Sequence, residues 1–220
     1  MSNTLKLLLF VSLAFLAECT FAQTAPSVVE HPDIKVGDSW TYQLTNDWRS
    51  VVKDTYTFMV SAVSDKEIQL TRKSEKTGAT VTVAETPDLN ALVKADPDGS
   101  IVRYSPNNGA YSFPLNVGKT WEAKADWTTD GRSGSYSLAT KVVGWEQVTV
   151  PAGTFTALKI TKAGYYRATN GQNSGSGKIH MTLWYAPAVK GMVEMQYEDT
   201  NWSGTPYNKE TTRLMAYKVN

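Results

Sequence analysis

The sequence predicts an all-β protein of antiparallel strands, about 11–12 of them, forming a strongly curved sheet, a half-barrel or a sandwich. Three observations predict it. Apolar and polar residues alternate with period two through most of the chain, Gly, Pro, Asn and Asp clusters punctuate the runs, and helix-type spacing is nearly absent.

Trp40, Tyr42 and Leu44 form the first alternating run. In the next, Tyr56, Phe58, Val60 and Ala62 share one face while small or polar residues take the other, the pattern of a half-buried antiparallel strand. Ile68/Leu70 and Val81/Val83 repeat it. Helix signals gather only between Thr86 and Val93, where Thr86 is an N-cap candidate, Pro87 suits a first helical position and Leu89, Leu92 and Val93 are apolar. This stretch reads as at most one short helix, or as a loop leading into a strand. Val148/Val150 run into Pro151-Ala152-Gly153, a tight turn in which proline ends ladder donation and glycine permits positive φ. Phe155 to Ile160 keeps no single phase, which predicts a bulge or burial on both faces. Ile179/Met181/Leu183/Tyr185, Val193/Met195/Tyr197 and Met215/Tyr217/Val219 complete the set.

Before these strands, Lys6 precedes the apolar run Leu7 to Ala17, and small and polar residues follow down to Ala22. This reads as a secretory signal peptide over 1–22, too short to span roughly 30 Å of hydrocarbon, with a single exported β domain over 23–220. The destination is the periplasm or the medium. Cys19 sits as in a lipobox, but Glu18 stands where lipoprotein processing wants a small residue, so a lipid anchor is disfavoured. No later apolar stretch is long enough for a transmembrane segment. Cleavage would remove the one cysteine, which leaves no thiol chemistry in the mature chain. With 22 Lys+Arg against 21 Asp+Glu the net charge is +1, so no field favours nucleic acid.

Val36-Gly37-Asp38-Ser39-Trp40 and Val117-Gly118-Lys119-Thr120-Trp121 share V-G-x-[S/T]-W, which is the pattern of two tandem β-meanders, about 34–105 and 114–220. Asp96-Pro97-Asp98-Gly99 and Pro106-Asn107-Asn108-Gly109 between them are turn chemistry. From Pro114 through Val117-Gly118-Lys119-Thr120-Trp121, then Val148-Thr149-Val150-Pro151-Ala152-Gly153-Thr154-Phe155 and Leu183-Trp184-Tyr185-Ala186-Pro187, the chain resembles a group of exported bacterial proteins with domains of unknown function, some called TapB-like. Lys190, inserted before Gly191, departs from that pattern. The resemblance implies an extracytoplasmic antiparallel β fold and no established activity.

The catalytic census is thin. His31 and His180 are the only histidines, no G-x-S-x-G is present, and two histidines without cysteine make a poor zinc set, so no metal or cofactor is expected. Gly131 to Ser135 and Gly171 to Gly175 read as flexible hairpin loops. Glu194 and Glu198 lie about 13 Å apart along one strand at roughly 3.3 Å per residue, too far for a glycosidase pair, and read as a solvated face. The seven tryptophans exceed what a core of this size needs and suggest an aromatic-lined recess. The expected function is a non-catalytic envelope protein that grips an apolar small molecule, a glycan or an envelope protein. Trp121, Trp184, Tyr185 and His180 are the candidate ligand-binding residues. A hydrolase of scattered carboxylates and a purely structural envelope component are the alternatives.

Overall fold

Every strand pairs antiparallel with its sequence neighbours, and the first pairs with the last, so the sheet closes into a 12-stranded barrel. The computed structural model describes residues 26–220; the predicted leader over 1–22, the cleavage after Ala22 and Cys19 lie outside the described residues. The strands are β1 Ser39–Asn46, β2 Val51–Val63, β3 Ile68–Ser74, β4 Thr80–Glu85, β5 Ala91–Ala95 and β6 Ile101–Ser105. They continue as β7 Thr120–Thr129, β8 Arg132–Val150, β9 Gly153–Asn170, β10 Asn173–Ala186, β11 Gly191–Asn201 and β12 Pro206–Lys218. The all-β antiparallel expectation holds. The half-barrel or sandwich is corrected to a closed barrel, because β1 pairs with β12 from Ser39↔Lys218 to Asn46↔Glu210 and leaves neither as an edge.

Of the two readings of Thr86 to Val93, the loop leading into a strand is the one found: residues 86–90 form the loop and Ala91 opens β5. Leu89 N–H donates to Thr86 O and Thr86 N–H to Asn90 O, which closes a turn that delivers Ala91 into β5. Residues 155–160 carry burial on both faces, as Phe155, Ala157, Leu158 and Ile160 are all buried. The two V-G-x-[S/T]-W segments make the same hydrogen bonds. Gly37 N–H donates to Val60 O and Val60 N–H to Asp38 O, while Gly118 N–H donates to Val142 O and Val142 N–H to Lys119 O. Both glycines need positive φ, 90° and 89°, which a side chain would resist.

In a closed meander the connections alternate between two ends. One end carries short turns: 47–50, 75–79, 96–100, 130–131, 171–172 and 202–205. The other gathers the loops 86–90 and 106–119, the β8–β9 turn, a 3-10 turn at Pro187–Val189, and both described chain ends. This second end is filled. Trp40, Val60, Leu70, Val83, Val189 and Leu214 form one buried cluster, and Leu115, Val142, Leu158, Ile160, Leu183 and Tyr185 another.

The 106–119 loop enters the barrel as a plug. Gly109 O accepts from Trp121 Nε1 at 3.2 Å and from Lys162 Nζ at 2.9 Å, and Asn108 O accepts from Tyr136 Oη at 2.8 Å. Asn90 clasps the Tyr111 backbone through both amide atoms, and Leu115 bridges to Val29 of the incoming chain. Lys190 adopts a left-handed conformation, and its ammonium joins Asp33 O, the buried Asp38 carboxylate and Asn220 O. The residue that departs from the TapB-like pattern therefore ties the two described chain ends together.

At Gly177 a close approach requires glycine. A Cβ there would fall 1.7 Å from Thr200 O and 2.8 Å from Tyr166 Cε1. Gly177→Ala must push β10 away from β11, with an expected loss of about 1–3 kcal/mol in urea unfolding. An unchanged midpoint would show that the β10–β11 contact is slack.

Candidate functional site

The four residues singled out from sequence do not converge on one recess. Trp121 holds the plug through Gly109, and Tyr185, 1% exposed, packs edge-on against Tyr111 and Phe113 of the same loop at 5.4 and 5.5 Å. Trp184 is buried too. Its indole N–H donates to Glu146 Oε2 at 2.8 Å, and Lys159 Nζ bonds the other oxygen of that carboxylate at 3.0 Å. The Trp184 and Lys159 contacts hold the Glu146 carboxyl below its usual range. His180 is exposed, in register with Ala163 and Glu198. Glu194, expected on a solvated face, is buried and accepts from Arg213 Nε at 3.0 Å and Gln196 Nε2 at 2.9 Å. Glu194 keeps the phase opposite Val193, Met195 and Tyr197, and is covered there by Arg213, Gln196 and its in-register neighbour Trp184.

A groove of about 910 Å³ lies instead on the solvent face of β7–β10. Ala123, Leu138 and Ile179 turn inward as a buried cluster, so alternation sends Lys124, Ser137 and Tyr165 outward. One step along, Ser105, Asp126, Ser135, Arg167 and Ser176 stand in register across five strands. Trp202, in the β11–β12 turn, reaches over β10 to Tyr165, with ring centroids 5.8 Å apart and planes tilted by 41°. On β10 the outward positions between them are Ser176 and Lys178, the latter in register with Tyr165, while Gly175 and Gly177 face inward with Ile179. Both rings stay open to solvent, Trp202 68% and Tyr165 54% exposed. Gly131–Ser135 and Gly171–Gly175, expected as flexible loops, are tight turns running straight into the strands that floor the groove.

Sequence reasoning missed this site. Trp202 belonged to the counted tryptophans, but its partner lies 37 positions away on a strand that is not its neighbour.

The interior beside the plug is polar rather than an apolar pocket. Arg72 and Asp54 form an ion pair at 2.7 Å with side chains 5% and 0% exposed, and Arg72 lies 4.3 Å over the Tyr56 ring. Glu85, in register with buried Ile68, is pushed up to about 7 by burial. Lys162, 4% exposed, is pulled down to about 7 by the same cause. Among the described residues no group of three or more His, Cys, Asp or Glu side chains is placed to hold a metal ion, and no helix is long and apolar enough to cross a membrane.

No protein-family model matches the sequence, and no curated protein does. The TapB-like resemblance thus stands on its residues alone. Among solved structures, the chain is similar to a candidate lipoprotein from Parabacteroides distasonis ATCC 8503, with TM-score 0.52 and 14% identity over 86% of this chain and 99% of that one. It is also similar to a candidate exported protein with a YmcC-like fold from Bacteroides fragilis NCTC 9343, with TM-score 0.53 and 16% identity over 87% and 99%. These likenesses are of architecture, and they place the chain among all-β antiparallel folds of the YmcC-like kind.

Proposed function

We propose that this protein is an exported, non-catalytic binding module of the bacterial cell envelope, and that its ligand lies in the β7–β10 groove against Tyr165 and Trp202. The observation that carries this reading is the pair of solvent-open rings at the edge of a 910 Å³ groove. Two large aromatics held apart from the core leave apolar surface exposed, and such surface on a folded protein marks contact with something else. Export is supported by the leader-like 1–22 and by the two solved relatives, described as a candidate lipoprotein and a candidate exported protein. The carboxylates Asp54, Glu146 and Glu194 are each engaged by a cation, which argues for structural work over hydrolysis.

Native mass spectrometry of the mature chain, purified from its own envelope fraction, tests the reading. The wild-type protein should carry an added mass that Trp202→Ala loses and Trp121→Ala keeps. A mass lost on replacing Trp121 and kept without Trp202 would move the site to the barrel interior.

A further inference from the structure

We infer that the occupant of this groove is a glycan, an extended oligosaccharide laid across β6–β10 with sugar ring faces against Trp202 and Tyr165. This rests on the groove being the ligand site, and the lining selects the chemistry.

The floor is hydroxyl-bearing. Ser105, Ser135, Ser137 and Ser176 line it where a lipid site would need branched aliphatic side chains. Serine hydroxyls donate and accept, as sugar hydroxyls do. The wall supplies what hydroxyls cannot. Pyranose rings carry an apolar C–H face, and the tilted Tyr165–Trp202 pair presents two flat, rigid surfaces for it at low cost in side-chain entropy.

Charge narrows the class further. Arg167 and Asp126 stand in register on either side of Ser135 and, among the described residues, neither enters an ion pair. A guanidinium on one side of Ser135 and a carboxylate on the other, about 10 Å apart across two strand spacings, set donors and acceptors along the row where successive sugar hydroxyls would lie. Lys124 is paired with Glu122 at 2.8 Å, so no excess of cation draws a polyanion. Across the five in-register strands the row from Ser105 to Ser176 measures about 19 Å, four spacings of roughly 4.8 Å, enough for a short oligosaccharide but far longer than one sugar.

A glycan array of bacterial surface oligosaccharides, probed with the mature chain, tests the proposal, with vesicles of phosphatidylglycerol and phosphatidylethanolamine assayed in parallel. The wild type should bind one or more oligosaccharides and leave the vesicles alone. Trp202→Ala should weaken binding about tenfold, and Trp202→Phe, which keeps a ring, should recover most of it. Arg167→Met should weaken binding without touching the rings. Both positions are exposed, and circular dichroism of each variant confirms that the barrel is intact. Absence of any oligosaccharide binding, or preference for the vesicles, overturns the glycan assignment. A co-purifying mass that depends on Trp202 and contains no sugar also overturns it, yet leaves the groove as the ligand site. A sugar bound equally by wild type, Trp202→Ala and Arg167→Met overturns the groove itself.

Discussion

Asp54→Ala should cost about 3–5 kcal/mol of unfolding free energy, among the largest losses available to a single substitution in this barrel. Asp54 is wholly buried on β2, and its carboxylate accepts from Arg72 Nη2 at 2.7 Å, Ser74 Oγ at 2.8 Å and Lys76 N at 3.4 Å. Removing it leaves a guanidinium inside the protein with the Tyr56 ring below it and no anion to face. Arg72→Met should cost less, because the carboxylate keeps Ser74 and the Lys76 amide. The double variant Asp54→Ala/Arg72→Met should be more stable than Asp54→Ala alone, since it removes the stranded charge together with its partner. Urea unfolding of the four proteins measures the coupling. Strict additivity with small single losses would mean that water inside the barrel screens the pair.

Much of this architecture was legible in the sequence because strands report their faces locally. Tyr56, Phe58 and Val60 alternate in the sequence and in the fold, and Pro151-Ala152-Gly153 turns where its residue types demand, with Gly153 at φ 134°. Closure was not legible. It depends on Trp40 meeting Tyr217 and Asn46 meeting Glu210, pairings across most of the chain, and an open sheet would show the same alternation. The helix signals at Thr86 and Pro87 go unused for a related reason. Thr86 and Pro87 are good helix starters, but Leu89 sits at φ 59° and Asn90 is held by Tyr111, so tertiary contacts overrule propensity.

The candidate site was less legible still. Trp121 and Tyr185 were chosen for aromatic area, and they bring that area to the plug: a large ring near a motif looks the same whether it grips a ligand or a loop of its own chain. Pro106-Asn107-Asn108-Gly109 read as a simple turn, and the backbone does turn there. Nothing local announces that Trp121, Tyr136 and Lys162 will close around its carbonyls, because those donors arrive from three strands that assemble only in the barrel. Trp202 and Tyr165 meet across β10, from a turn and a strand that only the fold brings together.

Lys162→Met should stabilise the protein at pH 6 by about 2–4 kcal/mol and erase most of its stability gain between pH 7 and 10. Lys162 lies on β9 between Thr140 and Met181 in register, 5.8 Å from the Trp121 ring, and its one hydrogen bond is to Gly109 O. An ammonium so placed is poorly compensated, and burial draws its pKa down to about 7 from 10.5. Between those two values the unfolded chain holds a proton that the folded one has released, so wild-type stability rises with pH across that window. Below pH 7 both states are protonated and the folded state bears the full desolvation cost. Methionine bears none, and Gly109 O keeps the Trp121 indole as donor. Above pH 10.5 the neutral amine still donates to Gly109, so there the wild type should match or slightly exceed the variant. Glu85, raised to about 7, works in the opposite direction, lowering stability as pH rises from 4.5 to 7, and that limb should persist in Lys162→Met. Urea unfolding of both proteins from pH 5 to 10 separates the two groups. A variant less stable than wild type at pH 6 would show that the charged amine anchors the plug more than its burial costs, and that the barrel folds around that contact.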